Sequence, residues 1–350
     1  MTTIPTTMLT AVYQPGSPSL VLDKYYPVRE LRDNEILIKK HTTDFSVLPP
    51  VCHSDVTLLS GVSLDTRKYA RGVAREQKLG AKVDSRTVQI GKLYSIIGAD
   101  SCVHGVNGGA ALFNALGLGR DGGYAEYIIV TADTLVPVPD GVPPAVAAIA
   151  SDAGVTAYHA VQRSAQVKKG EKVLIFGIGA PIRRAFRCNW YDYSSVLYAC
   201  DVKPEARKLA LELGATEAFD LIELTNKTTA GFTVDTTINF VSNNQTFNLS
   251  MSALKRNDVN FPSKPKCVMV GVSAENLVFS TLDIITTGVQ ILGSTAGDQN
   301  DLAAVLDLFA KGSIRAHVHS EPLENVNKVL DELRASTYTG RKVVIPHPKV

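Results

Sequence analysis

The chain has 350 residues, 45% of them hydrophobic, and its 36 Lys and Arg side chains nearly balance 34 Asp and Glu side chains. A chain of this length is expected to form two domains, each with its own core. The charges are scattered, without the basic stripe and interleaved aromatic residues typical of nucleic-acid binding, so we expect no nucleic-acid partner. The N-terminal residues lack a charged segment followed by an apolar core, and no run of about 18 apolar residues occurs, so neither a secretory signal nor a membrane span is predicted.

The five cysteines are odd in number and widely spaced, and no CxxC pair occurs; they are Cys52, Cys102, Cys188, Cys200 and Cys267. Such spacing does not predict a disulfide framework and favours a reducing compartment. We therefore expect a cytoplasmic protein.

The first 150 residues contain short β-type runs separated by Gly, Asp and Pro. Examples are Ile36–Lys39, Tyr94–Ile97 and Tyr124–Val130. Few convincing helical stretches occur before Pro143. This pattern predicts an antiparallel or mixed β domain.

From Pro144 the pattern changes to helices that alternate with short apolar strands. The predicted helices are Pro144–Ser164 and Pro204–Leu213, the second ending at Gly214 as a C′ glycine. The predicted strands are the VLIF run from Val173 and the segments Val196–Asp201, Val234–Phe240, Lys266–Val272 and Val289–Leu292. Alternation of this kind predicts a parallel sheet covered on both faces.

The chain after Gly293 contains two further predicted helices, Asn300–Lys311 and Glu324–Ala335, and a closing strand, Lys342–Ile345. We expect this tail to rejoin the first, β-rich domain.

The segment VLIFGIGAPIRR resembles the turn from strand to helix that binds the pyrophosphate of a dinucleotide. Gly177 and Gly179 stand where the tight turn and the phosphates need bare backbone, whereas Ile182 replaces the third glycine, which lets helix and strand pack closely. We therefore predict a cofactor-binding turn at Gly177, Ile178, Gly179 and Ala180. Its affinity for the cofactor is expected to be weakened, because Ile182 crowds the helix.

Asp201 strengthens this prediction. It follows Gly177 by 24 residues, at the end of the second predicted strand, where a carboxylate accepts hydrogen bonds from the adenosine ribose and repels a 2′-phosphate. NAD is therefore favoured over NADP, although Lys203 lies close by. The alternative is that Asp201 only caps the following turn.

Four segments together resemble the zinc-type alcohol dehydrogenases of the medium-chain dehydrogenase/reductase superfamily. They are residues 51–55 (VCHSD), 121–127 (DGGYAEY), 153–158 (AGVTAY) and 209–215. The resemblance implies an α/β fold in which a doubly wound parallel Rossmann sheet accompanies a mostly β, GroES-like catalytic domain. It implies a catalytic domain made of residues 1–152 and 294–350, and a dinucleotide-binding domain made of residues 153–293.

The resemblance also implies a zinc ion that activates the alcohol oxygen, with Cys52 and Asp152 as ligands. Cys52 alternatively is a small core residue, and Asp152 alternatively caps the following helix. The second ligand of the family is a histidine, but Val73 stands in its place, and Glu76 is at best a poor substitute. Since valine cannot bind zinc, whether zinc binds at all is in doubt.

Two further departures from the family occur. The region that carries four cysteines for a structural zinc in many relatives keeps only Cys102, so we predict no structural zinc. Residues 67–78 and 180–195 depart from the family in blocks, which an unusual splice or reading frame would produce, as would loss of function.

The resemblance also assigns roles to several other residues, each on weaker grounds. The resemblance implies that Ser54 relays the alcohol proton, that His53 contacts the cofactor pyrophosphate, and that Thr156 and the Gly271–Val272 turn lie near the nicotinamide. The alternatives are a turn residue for Ser54, an exposed position for His53, a plain helix position for Thr156 and a strand-end turn for Gly271.

Three functions follow from these residues. The leading one is an NAD(P)-dependent alcohol dehydrogenase that interconverts a small-molecule alcohol and its aldehyde or ketone. The alternatives are a zinc-independent reductase of an enone or carbonyl, and an inactive member of the family. The resemblance implies a homo-oligomer. Among members of the family, the chain is most similar in character to fungal enzymes that act in natural-product pathways, that is, in secondary metabolism.

Overall fold

The structure is a computed structural model that describes residues 6–14, 17–39, 73–74, 76–79, 88–89, 91–97, 115–116, 119–120, 122–178, 195–254, 264–273, 275–316, 318–335 and 341–346. It divides into two compact units. The first unit comprises Met1–Val155, Gly297–Gly312 and Ala316–Val350. The second comprises Thr156–Ala296 and Ser313–Arg315. No helix within these described ranges is both long and apolar enough to cross a bilayer.

The described N-terminal part of the chain consists of short strands. They are β1 (Thr7–Tyr13), β2 (Leu20–Pro27), β3 (Glu35–Lys39), β4 (Val73–Ala74), β5 (Glu76–Leu79), β6 (Tyr94–Ile96), β7 (Ala115–Leu116), β8 (Gly119–Arg120), β9 (Tyr127–Thr131) and β10 (Leu135–Pro137). A 3₁₀ turn at Ala132–Thr134 joins the last two strands.

Helices and strands alternate through the middle of the chain. They are α1 (Pro144–Ile149), α2 (Val155–His159), β11 (Lys172–Phe176), β12 (Val196–Cys200), α3 (Pro204–Glu212), β13 (Glu217–Phe219), α4 (Leu221–Thr229), β14 (Thr236–Asn239), α5 (Asn244–Ala253), β15 (Lys266–Met269), α6 (Thr281–Thr287) and β16 (Gln290–Gly293).

The C-terminal part adds α7 (Gln299–Ala310), β17 (Val318–Pro322), a 3₁₀ turn at Leu323–Asn325, α8 (Val326–Arg334) and β18 (Arg341–Ile345). Helix α7 begins with a capping box in which Asp298 and Asp301 exchange hydrogen bonds with each other's backbone N–H. Helix α8 buries one apolar face, formed by Val326, Val329, Leu330 and Leu333.

In the first unit, strand β3 is buried on both faces. It lies between β5 and β9 and pairs antiparallel with each of them. Because side chains alternate along a strand, Ile36 and Ile38 join one core cluster and Leu37 joins another. The predicted strand Tyr124–Val130 begins only at Tyr127, because the backbone before it bends to bond with β1, where the N–H of Ala11 donates to Tyr124 O at 2.7 Å.

The predicted helix from Pro144 to Ser164 is continuous but not uniformly α-helical. Two π-helical turns, Ala150–Gly154 and Ala160–Ser164, alternate with α1 and α2. Helix α7 packs closely on the first of these turns, since a Cβ on Gly154 would lie 2.9 Å from Val305 Cγ1. Small residues at this contact therefore permit the close approach of the two helices.

The second unit is built on a six-stranded sheet in the order β13-β12-β11-β14-β15-β16, with every pair parallel. In register, Phe176 lies between Cys200 on β12 and Asn239 on β14. Along β11, Val173 and Ile175 face one core cluster, while Leu174 and Phe176 face the other. The sheet is therefore covered on both faces. This confirms the predicted α/β fold, in which one unit has a doubly wound Rossmann sheet and the other is mostly β.

Candidate cofactor site

The candidate site lies at the carboxyl ends of the central strands of the six-stranded sheet. The strand order reverses at β11, whose neighbours are β12 on one side and β14 on the other. Crevices at such a reversal are where open α/β sheets bind ligands, because the connections leave the two neighbouring strands in opposite directions.

Gly177 forms the turn directly after β11. Its φ of +84° lies in the left-handed region that favours glycine, and a Cβ there would lie 2.8 Å from Val241 Cγ2. Its N–H donates to Cys200 O at 2.9 Å, which ties the turn to the end of β12. Both backbone conformation and space therefore require glycine at this position.

Ile178 and Asp201 join the ends of β11 and β12. The N–H of Ile178 donates to Asp201 Oδ2 at 2.6 Å, while the Ile178 side chain is buried in the core. The other carboxylate oxygen, Oδ1, accepts the N–H of Lys203 at 2.9 Å. Asp201 therefore caps the turn that follows it, as the alternative hypothesis predicts. Asp201 is partly exposed, and its carboxylate also faces the glycine turn.

Arg207 supports the same strand end from helix α3. Its Nη1 donates to Asp201 O at 2.9 Å and to Val202 O at 3.0 Å. The guanidinium thus satisfies two carbonyl groups beyond the sheet, and it places a positive charge beside the Asp201 backbone.

Gly271 and Val272 follow β15. The N–H of Gly271 donates to Asn239 O at 3.2 Å, and a Cβ on Gly271 would lie 2.5 Å from Phe240 O. Because Phe240 O is a backbone atom, it cannot move away easily, so the position requires glycine.

Val272 is exposed. Thr156, on helix α2, is partly exposed between the buried residues Val155 and Ala157.

Asp152 lies in the π-helical turn of the first unit. Its Oδ2 is 3.6 Å from Arg341 Nη1, and the two side chains are only 15% and 10% exposed. The helical stretch that contains it is capped at Pro143, so Asp152 lies within the helix, and the interpretation of Asp152 as a helix cap is wrong.

The other predicted site residues lie outside the described residues. These are Cys52, His53, Ser54, Gly179 and Ala180, as well as Cys102 and Ile182. Val73 is described as part of β4, where it is the register partner of Ser95 on β6.

The donor set does not fit a zinc ion. Asp152 is ion-paired with Arg341, and Val73, at the position of the family's histidine ligand, has no donor atom. Over the ranges that the structure describes, no three His, Cys, Asp or Glu side chains are grouped to hold a metal. A tetrahedral site needs three protein ligands and an open position.

Two buried cysteines are close to the candidate cofactor site but are not reactive groups. Burial raises the pKa of the Cys200 thiol to about 12 and that of the Cys267 thiol to about 11. Because the thiolate is the nucleophile, both are core residues at neutral pH.

Sequence reasoning missed Asn239, which is fully buried at the end of β14 and makes hydrogen bonds to the following loop. A polar residue at the end of a strand, followed by Phe240 and a Val-Ser-Asn segment, was the available signal, but the residues alone do not say where its side chain points.

The strand order 3-2-1-4-5-6, with a glycine turn and an aspartate at the reversal point, defines a Rossmann-type α/β protein. The zinc-binding dehydrogenase family matches residues 195–311. An alcohol dehydrogenase from Geobacillus stearothermophilus is 31% identical over 305 residues, which cover 84% of this chain and 88% of that protein. The chain belongs to the zinc-type alcohol dehydrogenase family of the medium-chain dehydrogenase/reductase superfamily.

Solved structures agree with this assignment. The acetophenone reductase from Geotrichum candidum, in complex with NAD, is 27% identical with a TM-score of 0.82, over 98% of each chain. The alcohol dehydrogenase from Aeropyrum pernix is 24% identical with a TM-score of 0.78, over 97% of this chain and 100% of that one, and shares the fold.

Proposed function

We propose that the protein is an NAD-dependent oxidoreductase that interconverts an alcohol and its aldehyde or ketone. The observation that carries this proposal is the coupling of Gly177, Ile178 and Asp201 at the strand reversal, where the Ile178 N–H donates to Asp201 Oδ2 at 2.6 Å. Family membership supports it, as does the NAD bound to the acetophenone reductase of similar fold.

The described residues fit a dinucleotide. Gly177 leaves bare backbone at the end of β11, and Gly271 does so at the end of β15. In the proposed arrangement the Gly177–Ala180 turn and His53 hold the pyrophosphate, and Asp201 accepts hydrogen bonds from the adenosine ribose. Thr156 and the Gly271–Val272 turn lie toward the nicotinamide. The cofactor, when bound, supplies the hydride acceptor or donor.

The preference for NAD over NADP rests on Asp201. Its two carboxylate oxygens accept backbone N–H groups of Ile178 and Lys203, so the side chain cannot swing away without losing both bonds. A fixed carboxylate beside the ribose repels a 2′-phosphate. Ser54 then has the role of a hydroxyl that moves the alcohol proton toward solvent.

A titration of cofactor tests the proposal. NADH binding to the wild type, followed by calorimetry, is expected to be tighter than NADPH binding. Asp201→Asn is expected to weaken NADH binding and to reduce the difference between the cofactors, because the negative charge is lost. Glu205→Gln, the same change of charge on the exposed first turn of α3, is the matched control and leaves both affinities unchanged. Absence of any NADH binding by the wild type would contradict the proposal.

A zinc-independent reduction of a carbonyl or an enone is the second candidate. The ion pair between Asp152 and Arg341, together with valine at position 73, favours it, because the donor set of the family's zinc is incomplete. An enone substrate converted without added metal, with no turnover of simple alcohols, would select this candidate. An inactive protein would bind neither cofactor nor substrate.

We further propose that the protein self-associates through one face of the second unit, formed by residues 276–293. This segment holds exposed apolar side chains and a single charged residue, Asp283. The exposed side chains are Val278, Phe279, Leu282, Ile285 and Ile291. Strand β16 is the edge of the described sheet, and an edge strand pairs with a second copy of itself about a two-fold axis.

Sedimentation of the wild type tests this proposal and is expected to give a dimer or larger assembly. Ile285→Asp is expected to shift it toward the monomer. A wild-type monomer at micromolar concentration would contradict self-association.

A further inference from the structure

Asn239 is a polar residue at the carboxyl end of a central strand of the sheet. It is the last residue of β14, with no exposed surface, and its register partners are Phe176 on β11 and Met269 on β15. A buried amide is costly unless its donors and acceptors are satisfied, so the bonds that it makes identify what it holds in place.

The side chain of Asn239 joins the loop after β14 to helix α5. Its Oδ1 accepts the N–H of Val241 at 3.0 Å and the N–H of Ser242 at 2.8 Å. Its Nδ2 donates to Ser250 Oγ at 3.2 Å, within helix α5. One oxygen thus holds two consecutive loop residues, and the amide nitrogen anchors that oxygen to a helix.

The backbone carbonyl of Asn239 joins the same loop to β15. It accepts the N–H of Val270 at 2.9 Å, the N–H of Gly271 at 3.2 Å and the hydroxyl of Ser242 at 3.1 Å. Asn239 is therefore the common partner of the loop Phe240–Ser242 and of the turn after β15.

The loop needs this support because Ser242 has a φ of +60°. A residue with a side chain is strained in the left-handed region, and it persists there where surrounding bonds over-determine its conformation. The two bonds from Ser242 to Asn239, through N–H and hydroxyl, are such bonds.

The same loop packs against both glycines of the candidate cofactor site. Val241 Cγ2 lies 2.8 Å from the point that a Cβ of Gly177 would occupy, and Phe240 O lies 2.5 Å from the corresponding point at Gly271. A shift of the loop therefore changes the space beside both glycines at once.

We propose that Asn239 is a positioning residue for the dinucleotide, holding the loop Phe240–Ser242 between the Gly177 turn and the Gly271 turn. The inference rests on the proposed binding of NAD at these strand ends. Asn239 acts through the loop, because its own side chain is buried and directed at backbone N–H groups and at Ser250.

The test compares variants that keep or remove the acceptor at Oδ1. Asn239→Ala removes it and is expected to weaken NADH binding about tenfold, because the two loop N–H groups lose their acceptor. Asn239→Asp keeps an oxygen for both loop N–H groups, so it is expected to lose less NADH affinity than Asn239→Ala, while its fully buried carboxyl group lowers the melting temperature. NADH fluorescence gives the dissociation constants, and circular dichroism gives the melting temperature of each variant.

Leu224→Ala separates positioning from stability. It removes a fully buried side chain of helix α4 and leaves every hydrogen bond of Asn239, so it is expected to lower the melting temperature while NADH affinity changes less than about twofold. If Asn239→Ala does not fold, Asn239→Val fills the same space with a residue that suits a strand and also lacks the acceptor.

Three results would overturn the inference. A folded Asn239→Ala or Asn239→Val variant with the affinity of the wild type would do so, while the proposed function would stand. Equal loss of affinity in Leu224→Ala would assign the effect to general destabilisation. Failure of the wild type to bind NADH would overturn the proposed function and this inference together.

Discussion

The two candidate sites of this protein are built from different parts of the chain. The dinucleotide site at the strand ends of the second unit is formed by backbone: two glycines that admit no Cβ and N–H groups that bond to Asp201 and Asn239. The metal site that the family implies in the first unit depends on particular donor side chains, and one of them is replaced by Val73. A site formed by backbone groups tolerates many side-chain substitutions, whereas a metal site is weakened by the loss of a single ligand.

The largest expected effect concerns the backbone of the dinucleotide site. Gly177→Val adds a Cβ at a φ of +84° and within 2.8 Å of Val241 Cγ2, so NADH binding is expected to fall at least about a hundredfold. The matched control is Gly170→Val, because Gly170 has the same φ of +84° but no neighbour within 4 Å of a Cβ. Calorimetry measures both. Equal losses in the two variants would show that strain alone, and not the crevice, is responsible.

The second prediction concerns the zinc ligands that the family implies, and in particular position 73. Purified wild type is expected to contain less than one zinc per chain, and Val73→His is expected to raise the zinc content, because histidine supplies the missing donor. Elemental analysis after dialysis measures the zinc, and Val73→Ala is the control. Stoichiometric zinc in the wild type would mean that another residue replaces the histidine, and the contrast between the two sites would disappear.

The third prediction concerns the ion pair of Asp152 and Arg341. Arg341→Ala leaves a largely buried carboxylate without this cation and is expected to lower the free energy of unfolding by about 2 kcal/mol. Lys311→Ala breaks an exposed pair with Asp307 in the same unit and is expected to cost less than about 0.5 kcal/mol. Urea denaturation followed by circular dichroism compares them. A similar small loss for both would show that Asp152 does not depend on Arg341.

The smallest effect is expected from Glu35 in the first unit. A hydrogen bond from Arg29, at 2.6 Å, lowers the pKa of Glu35 from 4.5 to about 2. A lowered pKa contributes stability that is fully present above the unfolded-state value of 4.5 and is lost as the pH falls through about 2. Because Arg29 is 46% exposed, the contribution is expected to be below about 1 kcal/mol. Glu35→Gln is therefore expected to reduce the loss of stability between pH 5 and pH 2, as measured by thermal melting. An unchanged acid profile would contradict this assignment.

Sequence patterns predicted the architecture well because it depends on periodicity. The apolar runs at β11 and β12 and the helix from Pro204 lie where they were expected, and Gly214 has the positive φ of a C′ glycine. Family membership was likewise predictable, because four separated motifs occur in the family's order. The two π-helical turns beside α2 were not predictable, because residue spacing does not distinguish a π-helical turn from an α-helical one; the first of them lies where α7 packs against Gly154.

The candidate site was predictable only in outline. Gly177 and Asp201 were selected from their spacing, and their role in cofactor binding stays a prediction. The spacing did not indicate that Asp201 Oδ2 accepts the N–H of Ile178, or that Asn239 holds the neighbouring loop. The first contact joins residues 23 positions apart in the chain, and the second depends on the direction of a buried side chain, which residue identity does not give.

The sequence by itself determined the family and the alternation of helices with apolar strands after Pro144, because local periodicity and residue identity are properties of the chain alone. It also places valine at position 73, where the resemblance implies a histidine ligand. Only the tertiary structure decided that Asp152 pairs with Arg341 and that Asn239 organises the strand ends. The physical reason is that a buried polar group takes whichever partner folding places within hydrogen-bond or ion-pair distance, and that distance does not depend on separation along the chain.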